Sequence, residues 1–286
     1  MGTRRIRIIR RIIFIIFIST QLLNAGFQIK TIPENCFYLS TNKGMSAINS
    51  TQNIFKNINF HIIKYPQNIN FLKLRYNKFS FSFLDYGVLK NQINNQVLNK
   101  FRAYEFDLQY YIQKSILNKI LLHSNIGVSY SKIGAVDSYA LTSKIKATTS
   151  LPDKKINFAL QVNNLGIIIN DYTKANTNLP LELQYGITYQ LKKTDILLGY
   201  DFIYEPYFLD KKHIFNIQFP IKKIAQINLS NTSYRKNLSS SNFENDWFYG
   251  LGLGLSIKSS TIKANIGMNS LGDAGFVYGI SIKKTL

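Results

Sequence analysis

Cysteine occurs once in this chain, at Cys36, so no intrachain disulfide can staple the fold. Tryptophan also occurs once and proline six times. Charged residues make up only 17% of the 286 residues, sparse for a soluble domain that must solvate its whole surface. Beyond the N-terminus, runs rich in Ala, Glu, Lys and Leu are missing, which argues against a helical protein. His61, His123 and His213 lie far apart, with no carboxylate or thiol at ligand spacing, so no metal site is expected. Ser239, Ser240 and Ser241 lie in a polar stretch without the strand-turn-helix context of a nucleophile. Glu105 and Asp107 would share a face if the chain is extended there, and read as acids lining that face opposite scattered lysines. No catalytic or cofactor-binding residue is assigned, and the chain is not expected to be an enzyme.

What the sequence does have is aromatic and alternating. Aromatics reach 14%, with Tyr 18 and Phe 20, and such side chains suit a pleated surface. In "LPLELQYGITYQLKKTDILLGYDFIYE", Leu181, Leu183, Tyr185, Ile187 and Tyr189 fall in one phase, against Glu182, Gln184, Gly186, Thr188 and Gln190. Period two with one apolar phase is a half-buried strand. The same alternation recurs near 58–64, 68–76, 79–86, 101–112, 118–131, 137–149, 154–163, 180–191, 194–205, 211–219, 221–233, 246–258, 260–268 and 275–284. These are fourteen candidate strands.

Their connections follow a parity rule. Asn77-Lys78, Lys192-Lys193, Pro220 and Ser259 make tight turns, each after an even-numbered strand. The longest connections, near 87–100, 164–179 and 234–245, follow odd-numbered strands. An up-and-down barrel crossing a membrane, with both termini on one side, produces that asymmetry. The second phase is dominated by Gly, Ser, Thr, Asn and Gln, with fewer charges than a solvated surface carries. Lipid on the apolar face and a narrow lumen on the other fit better than a soluble core. The expected fold is therefore an all-β transmembrane antiparallel barrel over 58–286.

"MGTRRIRIIRRIIFIIFISTQLLNAG" has a basic start, a short apolar run from Ile12 to Ile18 and a small-residue exit. That is the pattern of a secretory signal peptide over 1–25, with an uncleaved anchor as the alternative. Residues 26–57 are left as a periplasmic or lumen-plugging segment. Residues 1–25 carry five arginines and no acid, so their removal lowers the net charge from +20 to +15. Nucleic acid is not an expected partner, because the lysines are scattered and the aromatics are built into an apolar face. Outer-membrane lipid is. "GLGLG" at 250–254 continues a strand, so its glycines let the wall curve or another segment approach closely. Cys36 reads as an ordinary buried thiol. The polar loops "FLDYGVLKNQINNQVLNK", "NDYTKANTN" and "SYRKNLSSSNFEND" would face outward, and no binding residue is assigned in them.

Three stretches resemble the PorV/PorQ family, the PorQ branch more closely. They are "HIIKYPQNINFLKLRYNKFSFSFLDYG", the run holding Asn164, Leu165, Gly166, Leu179, Pro180 and Gly186, and the closing strands with Leu271, Gly272 and Asp273. The resemblance spans roughly residues 55 to 284. It implies a fourteen-stranded barrel like the FadL-type transporters. It further implies an accessory role in type IX protein secretion, with exported proteins bearing C-terminal signal domains as partners. A FadL-like channel for small hydrophobic solutes is the alternative, and a soluble periplasmic binding protein a third.

Overall fold

Apolar side chains at every second position force extended chain, and each of the fourteen alternating segments is a strand. The computed structural model describes residues 27–44, 56–93, 96–116, 120–151, 155–172, 178–191, 194–221, 224–233 and 248–286. The strands are β1 (Asn57–Lys64), β2 (Asn70–Tyr76), β3 (Phe79–Ile93), β4 (Gln96–Ile116), β5 (Ile120–Ile133), β6 (Val136–Leu151) and β7 (Ile156–Asn170). They continue with β8 (Glu182–Gln190), β9 (Leu197–Glu205), β10 (Asp210–Ile221), β11 (Ala225–Thr232), β12 (Gly252–Lys258), β13 (Ile262–Ser270) and β14 (Phe276–Thr285). Each pairs antiparallel with its neighbour in sequence, and β1 closes on β14 with Phe60 opposite Ile282 and Ile62 opposite Ile280. Closure joins the first strand to the last, which is how a sheet satisfies its backbone in hydrocarbon.

The two faces are inverted relative to a soluble protein. Ser129, Asp201, Asn216 and Ser281 are buried on the inside, whereas Leu108, Ile126, Ile266 and Ile280 are each more than half exposed on the outside. Aromatic rings on the outer face meet across strands, as in Phe106 on Tyr130 at 4.8 Å and Tyr185 on Phe202 at 5.2 Å. Such cross-strand contacts stiffen the wall from its lipid side.

Four boundaries differ from the sequence reading. The connection expected near 87–100 is mostly strand: β3 runs to Ile93 and β4 begins at Gln96. Gly87, at a φ of 71°, sits at a register shift between Asp85 and Val88, so a bulge lies where a loop was expected. Pro220 is no turn, because β10 continues through it to Ile221, with Pro220 opposite Gln226 near the strand end where a missing N–H is tolerated. Strand β7 also passes its expected end at 163 and continues to Asn170. Conversely, β12 starts at Gly252 and not near 246. Residues 1–25, Lys192-Lys193 and the loop 234–247 lie outside the described residues.

Candidate functional site

The interior is filled from the N-terminal side. Residues 27–44 run inside the barrel and carry α1 (Cys36–Ser40), a single turn of helix started by Asn35, whose side chain accepts from the Tyr38 N–H at 3.0 Å. The helix lies on wall positions that have no side chains. A Cβ at Gly267 would stand 2.1 Å from the Cys36 carbonyl oxygen, and one at Gly252 2.4 Å from that of Ser40. The inward glycines of "GLGLG" therefore serve close approach. Polar wall groups fasten the same helix: Ser281 Oγ accepts from the Cys36 N–H at 2.8 Å, and Ser230 Oγ donates to the Ser40 carbonyl at 2.8 Å. Asn42 donates to Ser230 Oγ at 2.7 Å and to the Gly250 carbonyl at 3.0 Å.

The carboxylates of β4 hold the start of the segment. Glu105 accepts from the backbone N–H groups of Gln28 at 3.1 Å and Ile29 at 2.8 Å, and from the Tyr86 hydroxyl at 2.8 Å. Asp107 is ion-paired with Lys30 and accepts from Ser129 Oγ at 2.7 Å. Further along, Glu34 pairs with Lys144, and Lys43 with Glu182 at 3.3 Å. The sequence reading placed Glu105 and Asp107 on the inner face but could not supply their partners, which lie some 77 residues away. Burial would raise the Glu34 carboxyl, but Lys144, helped by Lys73 and Arg75, outweighs it and holds the group far below the usual carboxylate range. Burial pushes the Cys36 thiol up to about 11, against a weaker opposing hydrogen bond from Ser281.

Above and below the helix the lumen changes character. Toward the long-loop end, Ile29, Leu39, Ile63, Phe71, Leu84 and Val277 form one apolar cluster, and Phe27, Ala140 and Leu179 with Ile168 form another. At the short-turn end lies a cavity of about 260 Å³ whose lining includes Lys73, Arg75, Lys144, Lys146, Lys263 and Lys283. The sequence reading took the lysines as scattered; barrel closure brings these together from β2, β6, β13 and β14. His61 and His123 line the same cavity, while His213 sits elsewhere, with its Nδ1 2.7 Å from the Tyr200 hydroxyl. Among the described residues no group of three metal-ligating side chains forms.

Among the described residues several strands outrun a neighbour at the long-loop rim, and one such seam lies beside buried apolar side chains. Pairing between β7 and β8 stops at Asn163 opposite Glu182, so β7 from Asn164 to Asn170 is paired only with β6. Asn164, at a φ of 60°, makes the bulge there and donates to the Pro180 carbonyl at 2.8 Å. Gly166 is needed beside it, because a Cβ would fall 1.9 Å from the Leu141 carbonyl oxygen. Leu179 turns inward behind this seam, 5% exposed, onto Phe27 and Ala140.

Neither a protein-family model nor a curated protein matches this chain. Solved structures do. The Ralstonia pickettii toluene transporter TbuX superposes with a TM-score of 0.52 at 7% identity, covering 87% of this chain and 100% of that one. The fold is a closed fourteen-stranded antiparallel barrel like that transporter's. The CymD monoaromatic hydrocarbon channel matches with a TM-score of 0.48 at 11% identity, over 86% of this chain and 97% of its own. A Pseudomonas aeruginosa FadL homologue matches at 0.47 and 8% identity, over 88% and 98%. The apolar outer belt on a closed barrel is the surface of a membrane-spanning barrel.

Proposed function

We propose that this chain is an outer-membrane channel for small hydrophobic solutes, held closed in the present conformation by residues 27–44. The observation that carries the reading is the β7–β8 seam with apolar side chains behind it: Phe27, Ala140, Ile168 and Leu179 lie where β7 has lost its β8 partner. A solute arriving from the long-loop end would meet the two apolar clusters on its way into the lumen. Release of the plug at Phe27 would open that apolar surface toward the seam. The similarity of fold to a toluene transporter supports the same reading. Export by the Sec route, through a signal peptide over 1–25, and contact with outer-membrane lipid belong to this proposal; nucleic acid does not.

The test is uptake. Cells expressing the chain should accumulate a monoaromatic hydrocarbon faster than a deletion strain, and a Leu179→Asp variant should lose that advantage while keeping its folded migration. Equal uptake in the deletion strain would remove the channel. The type IX secretion role is a second reading, and it rests on the order of the PorV/PorQ-like motifs alone. Pull-down of secretion components or of exported proteins with C-terminal signal domains would restore it to first place.

A further inference from the structure

The cationic cavity is not used by a channel for apolar solutes, and its composition is costly. Among the described residues six cationic side chains line it, and Glu34 is the only carboxylate. Glu34 is already taken by Lys144. Lys144 and Lys146 stand two apart on the inner face of β6, and like charges so close destabilise the empty site.

Several polar groups there are unsatisfied. Lys146 is 7% exposed and has no hydrogen-bond or ion-pair partner among the described residues. Among those residues Nη2 of Arg75 is buried without an acceptor, and Nδ1 of His61 and Oδ1 of Asn59, which line the same cavity, have no partner either. Buried donors without acceptors are uncommon and ask for a ligand. The Arg75 guanidinium is braced, 3.9 Å from the Tyr111 ring centroid and with Nε donating to the Asn77 carbonyl at 3.1 Å. Its Nη2 is thus held in place.

Size and charge narrow the ligand class. About 260 Å³ lies below the roughly 300–1,000 Å³ of pockets for drug-sized ligands, so the occupant is small. A monovalent carboxylate would leave most of the positive charge uncompensated. A guanidinium and several ammonium groups around one small space match an oxyanion carrying several charges. From this geometry we propose that the short-turn end of the lumen binds a small polyvalent oxyanion of the phosphate class. The inference goes beyond the channel reading and does not depend on it, since binding is measured without any apolar solute.

The experiment is isothermal titration of the full chain, folded in an uncharged detergent, with inorganic pyrophosphate. Saturable binding that weakens as salt is raised is expected. Lys146→Gln and Lys263→Gln should each weaken it about tenfold or more, the scale of one charge-assisted hydrogen bond. Lys211→Gln, exposed at the opposite rim, should leave it unchanged. Heat-modifiable gel migration shows that each variant is folded. Absence of binding, an affinity in both lumenal variants equal to that of the unaltered chain, or succinate binding as tightly as pyrophosphate would each overturn the proposal.

Discussion

Ile266 and Asn265 are neighbours on β13, yet one is half exposed outside the barrel and the other 8% exposed within it. If hydrocarbon covers Ile266, Ile266→Lys should destabilise the folded barrel by about 2–4 kcal/mol, the cost of a cation near the bilayer midplane. Reversible unfolding in lipid vesicles measures it. Cys36 offers a second test at this scale. Fully buried and with its thiol raised to about 11, it should resist maleimide in the folded protein and react once the chain is unfolded. Glu34 gives a pH test. A carboxyl held below its unfolded value stabilises the folded form above the ordinary carboxylate range, and loses that contribution as pH falls through its depressed value. The share of protease protection of residues 27–44 that a Glu34→Gln variant removes should therefore be the same at neutral pH and at about pH 5. A share that shrinks across that interval would contradict the Glu34–Lys144 pair.

At the scale of elements, the plug and the wall are separable. Gly267→Val puts side-chain atoms where the Cys36 carbonyl lies, so α1 should leave its seat while β12, β13 and β14 stay paired. Protease cleavage within residues 27–44 should rise, with heat-modifiable migration retained. Removing the Glu105 acceptor by Glu105→Ala leaves the Gln28 and Ile29 N–H groups unsatisfied, a loss of about 1–3 kcal/mol for plug docking. The strands themselves were legible, because a face that must be apolar against lipid writes itself at every second residue. Their ends were less so. Gly87 looked like the start of a long connection and proved to be a bulge, and Asn164 with Gly166 looked like a strand end but carries β7 onward unpaired on one side. Both errors share a cause: a left-handed residue serves a loop and a bulge equally well.

For the whole molecule, closure is what the sequence could only imply. Parity of the connections pointed to a barrel, and the pairing of β1 with β14 completes it. Closure also creates what no local pattern could foretell. Lys73 and Lys283, far apart in the chain, line one cavity, and Glu105 and Asp107 find their partners in residues 28–30. The candidate site was thus unreadable for a physical reason: its members meet only through the barrel's circumference. The sidedness of that wall is tested most directly by spin labels placed singly at positions 262–266, 268 and 269 of β13, on a Cys36→Ser background in lipid vesicles. Labels at 262, 264, 266 and 268 should be reached by membrane-dissolved oxygen, and those at 263, 265 and 269 should not. Uniform access, or oxygen at the odd positions and a water-soluble nickel complex at the even ones, would mean that lipid does not cover this face.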